Sequence, residues 1–177
     1  MNNILHGSKV NLCHLNFGNL DEYLIIYKLS SVFASAYETM PDLWETQKKS
    51  IRNGMDQERY LVIEKETEIS CGIVEFHYIF KITPEINIMI APEYRQKGYG
   101  YEASKILIDK VLNDGKAEYI IWNTFASNKA SCRIAEKLGG IKENRDNFVG
   151  EALAQVFDKD VKDYHNVIDT ITYKITK

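Results

Sequence analysis

The segment Ile88 to Tyr101, Ile-Met-Ile-Ala-Pro-Glu-Tyr-Arg-Gln-Lys-Gly-Tyr-Gly-Tyr, narrows the choice of folds more than any other stretch of the chain. An apolar, β-branched strand (Glu85 to Ala91) passes through a proline and a basic, glycine-spaced turn. It then enters a run with apolar residues at helical spacing, from about Gly98 to Asn113. Such a turn is built to hold an anion. Gly98 and Gly100 let the backbone approach a ligand, successive amides can point inward together, and a helix start contributes roughly half a positive charge. Arg95 and Lys97 add cationic charge on the same turn.

Spacing separates the known anion loops. A Walker loop needs a glycine five positions before Gly98 and a Lys-Ser/Thr pair after it, and neither is present. Gly98-x-Gly100-x-x-Ala103 fits the dinucleotide fingerprint in its Ala form, which belongs directly at a strand end. Here six residues, Pro92 among them, separate Ala91 from Gly98. A dinucleotide-binding oxidoreductase therefore stays open only as an alternative.

The rest of the chain alternates strands and helices. Lys9 to Leu15 reads as a first strand, Leu20 to Leu29 as a helix, and a second helix follows Pro41 and ends near Asn53-Gly54. Arg59 to Glu64 and Ser70 to Lys81 are β-branched and aromatic around a polar break and read as a hairpin. Tyr119 to Thr124 is a further strand. Asn128 N-caps a helix with Ala130, Ile134 and Leu138 on one face, stopped by Gly139-Gly140. Phe148 to Glu151 and Ile168 to Ile175 read as closing strands. With no repeat and no linker composition, these elements imply one α+β (α/β three-layer) domain over residues 1–177 with a mostly antiparallel sheet.

Arg95-x-x-Gly98-x-Gly100, with its Pro92-Glu93-Tyr94 lead-in, resembles the Arg/Gln-x-x-Gly-x-Gly/Ala signature of the GNAT-type N-acetyltransferase superfamily. Asn128-Lys129-Ala130-Ser131 and Ala135-Glu136-Lys137-Leu138-Gly139 are similar to the Asn-x-x-Ser…Lys-Leu-Gly segment of its RimJ/RimL-like branch, which acetylates protein N-termini and other amines. The resemblance implies an acetyl-CoA-dependent N-acetyltransferase with a GNAT-like fold. The cofactor would enter a wedge between the Glu85 to Ala91 and Tyr119 to Thr124 strands.

It further implies that the pantetheine arm pairs with the backbone of Ile88 and Ile90. The pyrophosphate would lie on the amides of Gln96, Lys97, Gly98, Tyr99, Gly100 and Tyr101 beside Arg95, and Asn128 and Ser131 would touch the cofactor from the next helix. Glu85, at the place of an acidic residue common in this branch, is the implied proton acceptor, and the amine attacks directly in a ternary complex. Two departures stand out. Ala135 occupies the position where many relatives carry a thiolate-protonating tyrosine, and Gly140 replaces the phenylalanine that usually follows Lys-Leu-Gly. A thiol, with a pKa of about 8.5 as in free cysteine, leaves without a strong acid. Ala135 keeps a second alternative open, a CoA-binding regulatory domain without turnover.

Glu75 and His77 on the preceding strand are rival proton acceptors. Phe76, Tyr78 and Phe80 read as a sheet face rather than a substrate cage. A net charge of −3 and the absence of a basic block argue against a nucleic-acid partner, and no apolar run approaches a membrane span. Cys13, Cys71 and Cys132 are scattered and odd in number, which argues against a disulfide framework or a metal site and for a cytoplasmic setting. The expected partner is an amine acceptor, either a protein N-terminus or a small molecule. A homodimer is open, as dimers are frequent in such families.

Overall fold

Residues 4–31, 34–79, 83–143 and 170–177 are described by the computed structural model. Among them the order is β1 (Ile4–His6), β2 (Val10–His14), α1 (Leu20–Ser30), α2 (Ala34–Thr39), α3 (Pro41–Asn53), β3 (Glu58–Glu64), β4 (Ser70–Ile79) and β5 (Thr83–Ile90). A 3₁₀ turn at Pro92–Tyr94 leads to α4 (Tyr99–Asn113), β6 (Ile120–Phe125), α5 (Lys129–Lys137), β7 (Ile141–Glu143) and β8 (Thr170–Ile175). The strands form one sheet in the order β1-β2-β3-β4-β5-β6-β8-β7. Every neighbouring pair is antiparallel except β5 and β6, which run parallel because α4 carries the chain back across the sheet between them.

Alternation along the strands builds two cores. Val10, Leu12, Tyr60, Val62, Val74, Phe76 and Ile86 face Ala103, Leu107 and Val111 of α4 and Cys132 and Ala135 of α5. Cys13, Leu61 and Ile73 face the opposite way, onto Leu20, Tyr23, Leu24 and Tyr27 of α1, Tyr37 of α2 and Ile51 of α3. Helices thus cover both faces of a mixed, mostly antiparallel sheet, the expected α+β three-layer arrangement. That sheet overturns the dinucleotide alternative, since the Rossmann fold needs a mostly parallel, doubly wound sheet.

The differences from the sequence reading are local. The first strand is a hairpin, β1 with β2, and two more short elements appear, α2 and β7. Ala91 lies past the end of β5. Phe80, Lys81, the weak strand Phe148 to Glu151 and the first two residues of the Ile168 to Ile175 strand lie outside the described residues. Gly72 pairs with Ile90 of β5, and a Cβ there would come within 2.5 Å of Met89 O. Glycine there lets β5 pack tightly on β4.

Candidate active site

The parallel pairing of β5 with β6 is confined to one register, Glu85 with Ile121. Beyond it β5 continues alone, so its outer edge is open. Ala91 N–H donates to Cys71 O on the β4 side. By the alternation of an antiparallel ladder, Ile88 and Ile90 therefore turn their backbone groups away from β4, toward β6. Their side chains, partly buried, pack against the α4 core. Arg95 Nε donates to Ile90 O at 2.9 Å, so in this structure the exposed Arg95 is drawn onto the open edge itself.

At the far end of β5 the anion turn takes the shape the glycines allow. Gln96 (φ 65°) and Gly98 (φ 88°) both lie in the left-handed region, and Gly98 caps α4 without a side-chain hydrogen bond. The first amides of α4 therefore receive no cap from the side chain of that residue. A Cβ at Gly98 would lie at ordinary contact distance, 3.5 Å, from Lys9 Nζ, and that amine donates to Lys97 O at 3.2 Å. Lys9 is a cation at this turn that the sequence reading did not single out.

Gly100 plays a different part, because a Cβ there would point at Ile134, Ile90 and Ile88 rather than toward a ligand. It brings α4 close to β5 and α5. Lys97 is turned aside, its Nζ 3.4 Å from Glu64 and 5.0 Å from the Tyr94 ring centre. Tyr99 is buried with its hydroxyl on Glu64, so only its amide serves the turn, and Tyr101 stacks under Lys137 at 4.1 Å. A cavity of about 550 Å³ opens beside the turn, lined by Ser8, Lys9, Glu64, Lys65, Glu66, Lys97 and Tyr99. It lies on the β2–β3 side, away from the gap between β5 and β6.

Asn128 caps α5 by accepting from Ser131 N at 3.1 Å. The Ser131 hydroxyl in turn accepts from Trp122 Nε1 on β6 at 2.9 Å, which fixes Ser131 on the α5 side of the gap. Ala135 is fully buried. A Cβ on Gly140 would meet Ala135 O at 2.8 Å and Tyr173 Cβ at 3.1 Å, which explains why no phenylalanine stands there.

Glu85 lies on the other face of the sheet, beneath the α1–α3 layer. Burial raises its carboxyl from the ordinary 4.5 to about 7, against a lowering contribution from Asn123, whose Nδ2 donates to Oε1 at 3.2 Å. Oε2 is buried and has no partner among the described residues. A carboxylate poised near neutrality with one free oxygen is suited to proton acceptance.

The rivals are separated by their surroundings. Glu75 is buried in an ion pair, Oε2 3.0 Å from Arg59 Nε, and accepts from Asn87 at 3.3 Å. Arg59 is held by charge there and by donation from Nη1 to Ile51 O at 3.0 Å. Glu75 is thus committed to structure. His77 sits directly across from Glu85 on β4, and burial, with Arg59 second, lowers its pKa and keeps it neutral at neutral pH. Burial pushes the Cys71 thiol up to about 12, and all three cysteines are buried and free. Phe76 and Tyr78 meet edge to face at 5.4 Å as part of the sheet, with Tyr78 OH on Lys116 O.

The model of the acetyltransferase (GNAT) domain family matches residues 27–141, well over half of the chain. The chain belongs to the GNAT acetyltransferase family. As a family member it is an acetyl-CoA-dependent N-acetyltransferase. Solved structures of GNAT enzymes share the fold. One from Bacillus anthracis is 21% identical, with 98% of each chain covered and a TM-score of 0.68. The ribosomal-protein-S5-alanine acetyltransferase of Vibrio fischeri is 13% identical, with 98% and 95% covered and a TM-score of 0.68. RimL, a ribosomal L7/L12 alpha-N-protein acetyltransferase solved with coenzyme A, is 12% identical, with 98% of each covered and a TM-score of 0.69. A search of curated proteins finds no match to the sequence. Nothing in these comparisons supports a non-catalytic regulatory domain. Among the described residues no helix is long and apolar enough to cross a membrane, and no group of three or more His, Cys, Asp or Glu could hold a metal.

Proposed function

We propose that this GNAT enzyme is a single-domain member of the RimJ/RimL-like branch, working in the cytoplasm. Its acceptor would be a primary amine, with a protein N-terminus as the first candidate because relatives of the same fold carry such names. One observation carries the reading: a continuous track along β5. It runs from Glu85, past the outward backbone of Ile88 and Ile90, to the glycine turn at Gln96 to Tyr101 and the start of α4. Six residues of strand span about 20 Å between Glu85 and the turn, at roughly 3.3 Å per residue.

The residues fit acetyl-CoA, which supplies the acetyl thioester when bound. The amides from Gln96 to Tyr101 would hold the pyrophosphate, with Arg95 and Lys9 adding charge. Backbone groups of Ile88 and Ile90 would pair with the pantetheine arm as an added strand does. Asn128 and Ser131 would border it from α5. Glu85 would take the proton of the acceptor amine, and the backbone near Ile90 would orient the thioester carbonyl.

Calorimetric titration with acetyl-CoA tests the site. Wild type should bind in the micromolar range and Gly98→Trp should not, with circular dichroism showing both folded. Thiol release with peptides bearing free or blocked N-termini then tests the acceptor class. Failure of wild type to bind would refute the track, and equal turnover of blocked peptides would refute the N-terminal acceptor.

A further inference from the structure

We infer that Asn123, itself held by Thr172, is a positioning residue that presents the free oxygen of Glu85 to the acceptor amine; this rests on Glu85 being the base. Asn123 lies two residues past Ile121, the register partner of Glu85, and so shares its face of the sheet. Its own cross-strand partner is Thr172 on β8. Thr172 Oγ1 donates to Asn123 Oδ1 at 2.7 Å, and Asn123 Nδ2 donates to Glu85 Oε1 at 3.2 Å.

The ionised carboxylate only accepts and so takes the NH₂ end of the amide, while the Thr172 hydroxyl holds that orientation by donating to the other end. With Oδ1 occupied by Thr172, only the NH₂ end is left for Glu85, and a donor there favours the ionised form that a base must have. Oε1 is thereby tied and Oε2 left free among the described residues. As the amine nitrogen bonds to the acetyl carbon, the carbon–sulfur bond breaks and its electron pair leaves on sulfur, which takes a proton from solvent. The surplus amine proton passes to Oε2.

Other groups also face this region. His77 stands opposite on β4, Arg59 and Glu75 form the next row with Asn87, Tyr23 comes from α1, and Lys174 on β8 pairs with Ile121. All are unchanged in variants of Asn123 and Thr172, so a difference between variants isolates the relay.

The test follows the Glu85 carboxyl by ¹³C NMR against pH in the full-length protein without acceptor, alongside kcat/KM profiles. In Asn123→Leu the Glu85 midpoint and the acid limb should both move up by about one pH unit, roughly a fivefold loss of ionised base at neutrality, with acetyl-CoA affinity unchanged. Thr172→Val should move both in the same direction by less, and Thr172→Ser should restore them. Unmoved midpoints in folded Asn123→Leu overturn the inference. If that variant does not fold, identical midpoints in the Val and Ser variants overturn it. Wild-type turnover by Glu85→Gln would instead remove the base assignment on which it rests.

Discussion

Replacing Glu85 by glutamine should stabilise the fold, and do so only at higher pH. In the unfolded chain the carboxyl ionises near 4.5, and in the fold near 7. Below pH 4.5 both states hold the proton, and ionisation of this group has no effect on stability. Between the two values the unfolded chain has released a proton that the fold retains, so stability falls as pH rises, and the loss is complete above about 7. At about 1.36 kcal/mol per tenfold change, the full loss is roughly 3 kcal/mol, an upper figure because the side chain keeps some contact with water. Glutamine keeps the acceptor for Asn123 and the shape of the protonated acid but cannot ionise.

Urea denaturation followed by the fluorescence of Trp44 and Trp122 should place the variant within about 1 kcal/mol of wild type at pH 5. At pH 8.5 it should be about 2 kcal/mol or more ahead, roughly 4–8 °C in Tm for a chain of this size. Activity should be lost over the same pH range in which stability is gained. A stability difference that is constant from pH 5 to 8.5 would refute the reasoning, because it would mean that the carboxyl ionises at the same pH in the folded and unfolded chain.

Further consequences concern the cover of the site. Arg59→Met should cost about 3–5 kcal/mol, since it strands the buried Glu75 carboxylate, and adding Glu75→Leu should recover part of that loss in a double-mutant denaturation cycle. Gly72→Ala puts a Cβ within 2.6 Å of both Met89 O and Ile90 Cδ1, and should destabilise by about 1–3 kcal/mol while weakening acetyl-CoA binding in calorimetry through displacement of β5. Ser131→Ala leaves Trp122 Nε1 without an acceptor at a buried position and should cost about 1–3 kcal/mol in urea denaturation.

The strand, turn and helix start of the candidate site were legible along the chain because they are local. Strand, proline, two glycines and helix start occupy fourteen consecutive residues, and the left-handed φ of Gly98 is one that a glycine in that window permits. The cap at Asn128 is likewise set by a neighbour three residues away. What escaped was short or distant. β1 and β7 are three residues each, too brief for alternation to register, and α2 holds six residues with a single buried side chain. Glycine at 140 looked like a lost packing residue, and only its approach to Ala135 and Tyr173 shows that nothing larger fits.

The roles of charged side chains lay beyond the sequence for a different reason. Arg59, Glu75 and Glu85 alternate with apolar residues, a pattern that by itself describes a solvated sheet face. The α1–α3 layer makes that face an interior, which turns Arg59 and Glu75 into a buried pair and lifts Glu85 toward neutrality. Asn123 and Thr172 are 38 and 87 positions from Glu85. Only the pairing of β5 with β6 and of β6 with β8 brings the three together. Local backbone geometry thus followed from residue order, whereas desolvation and the meeting of distant strands, which set the acid–base behaviour of Glu85, followed only from the packed fold.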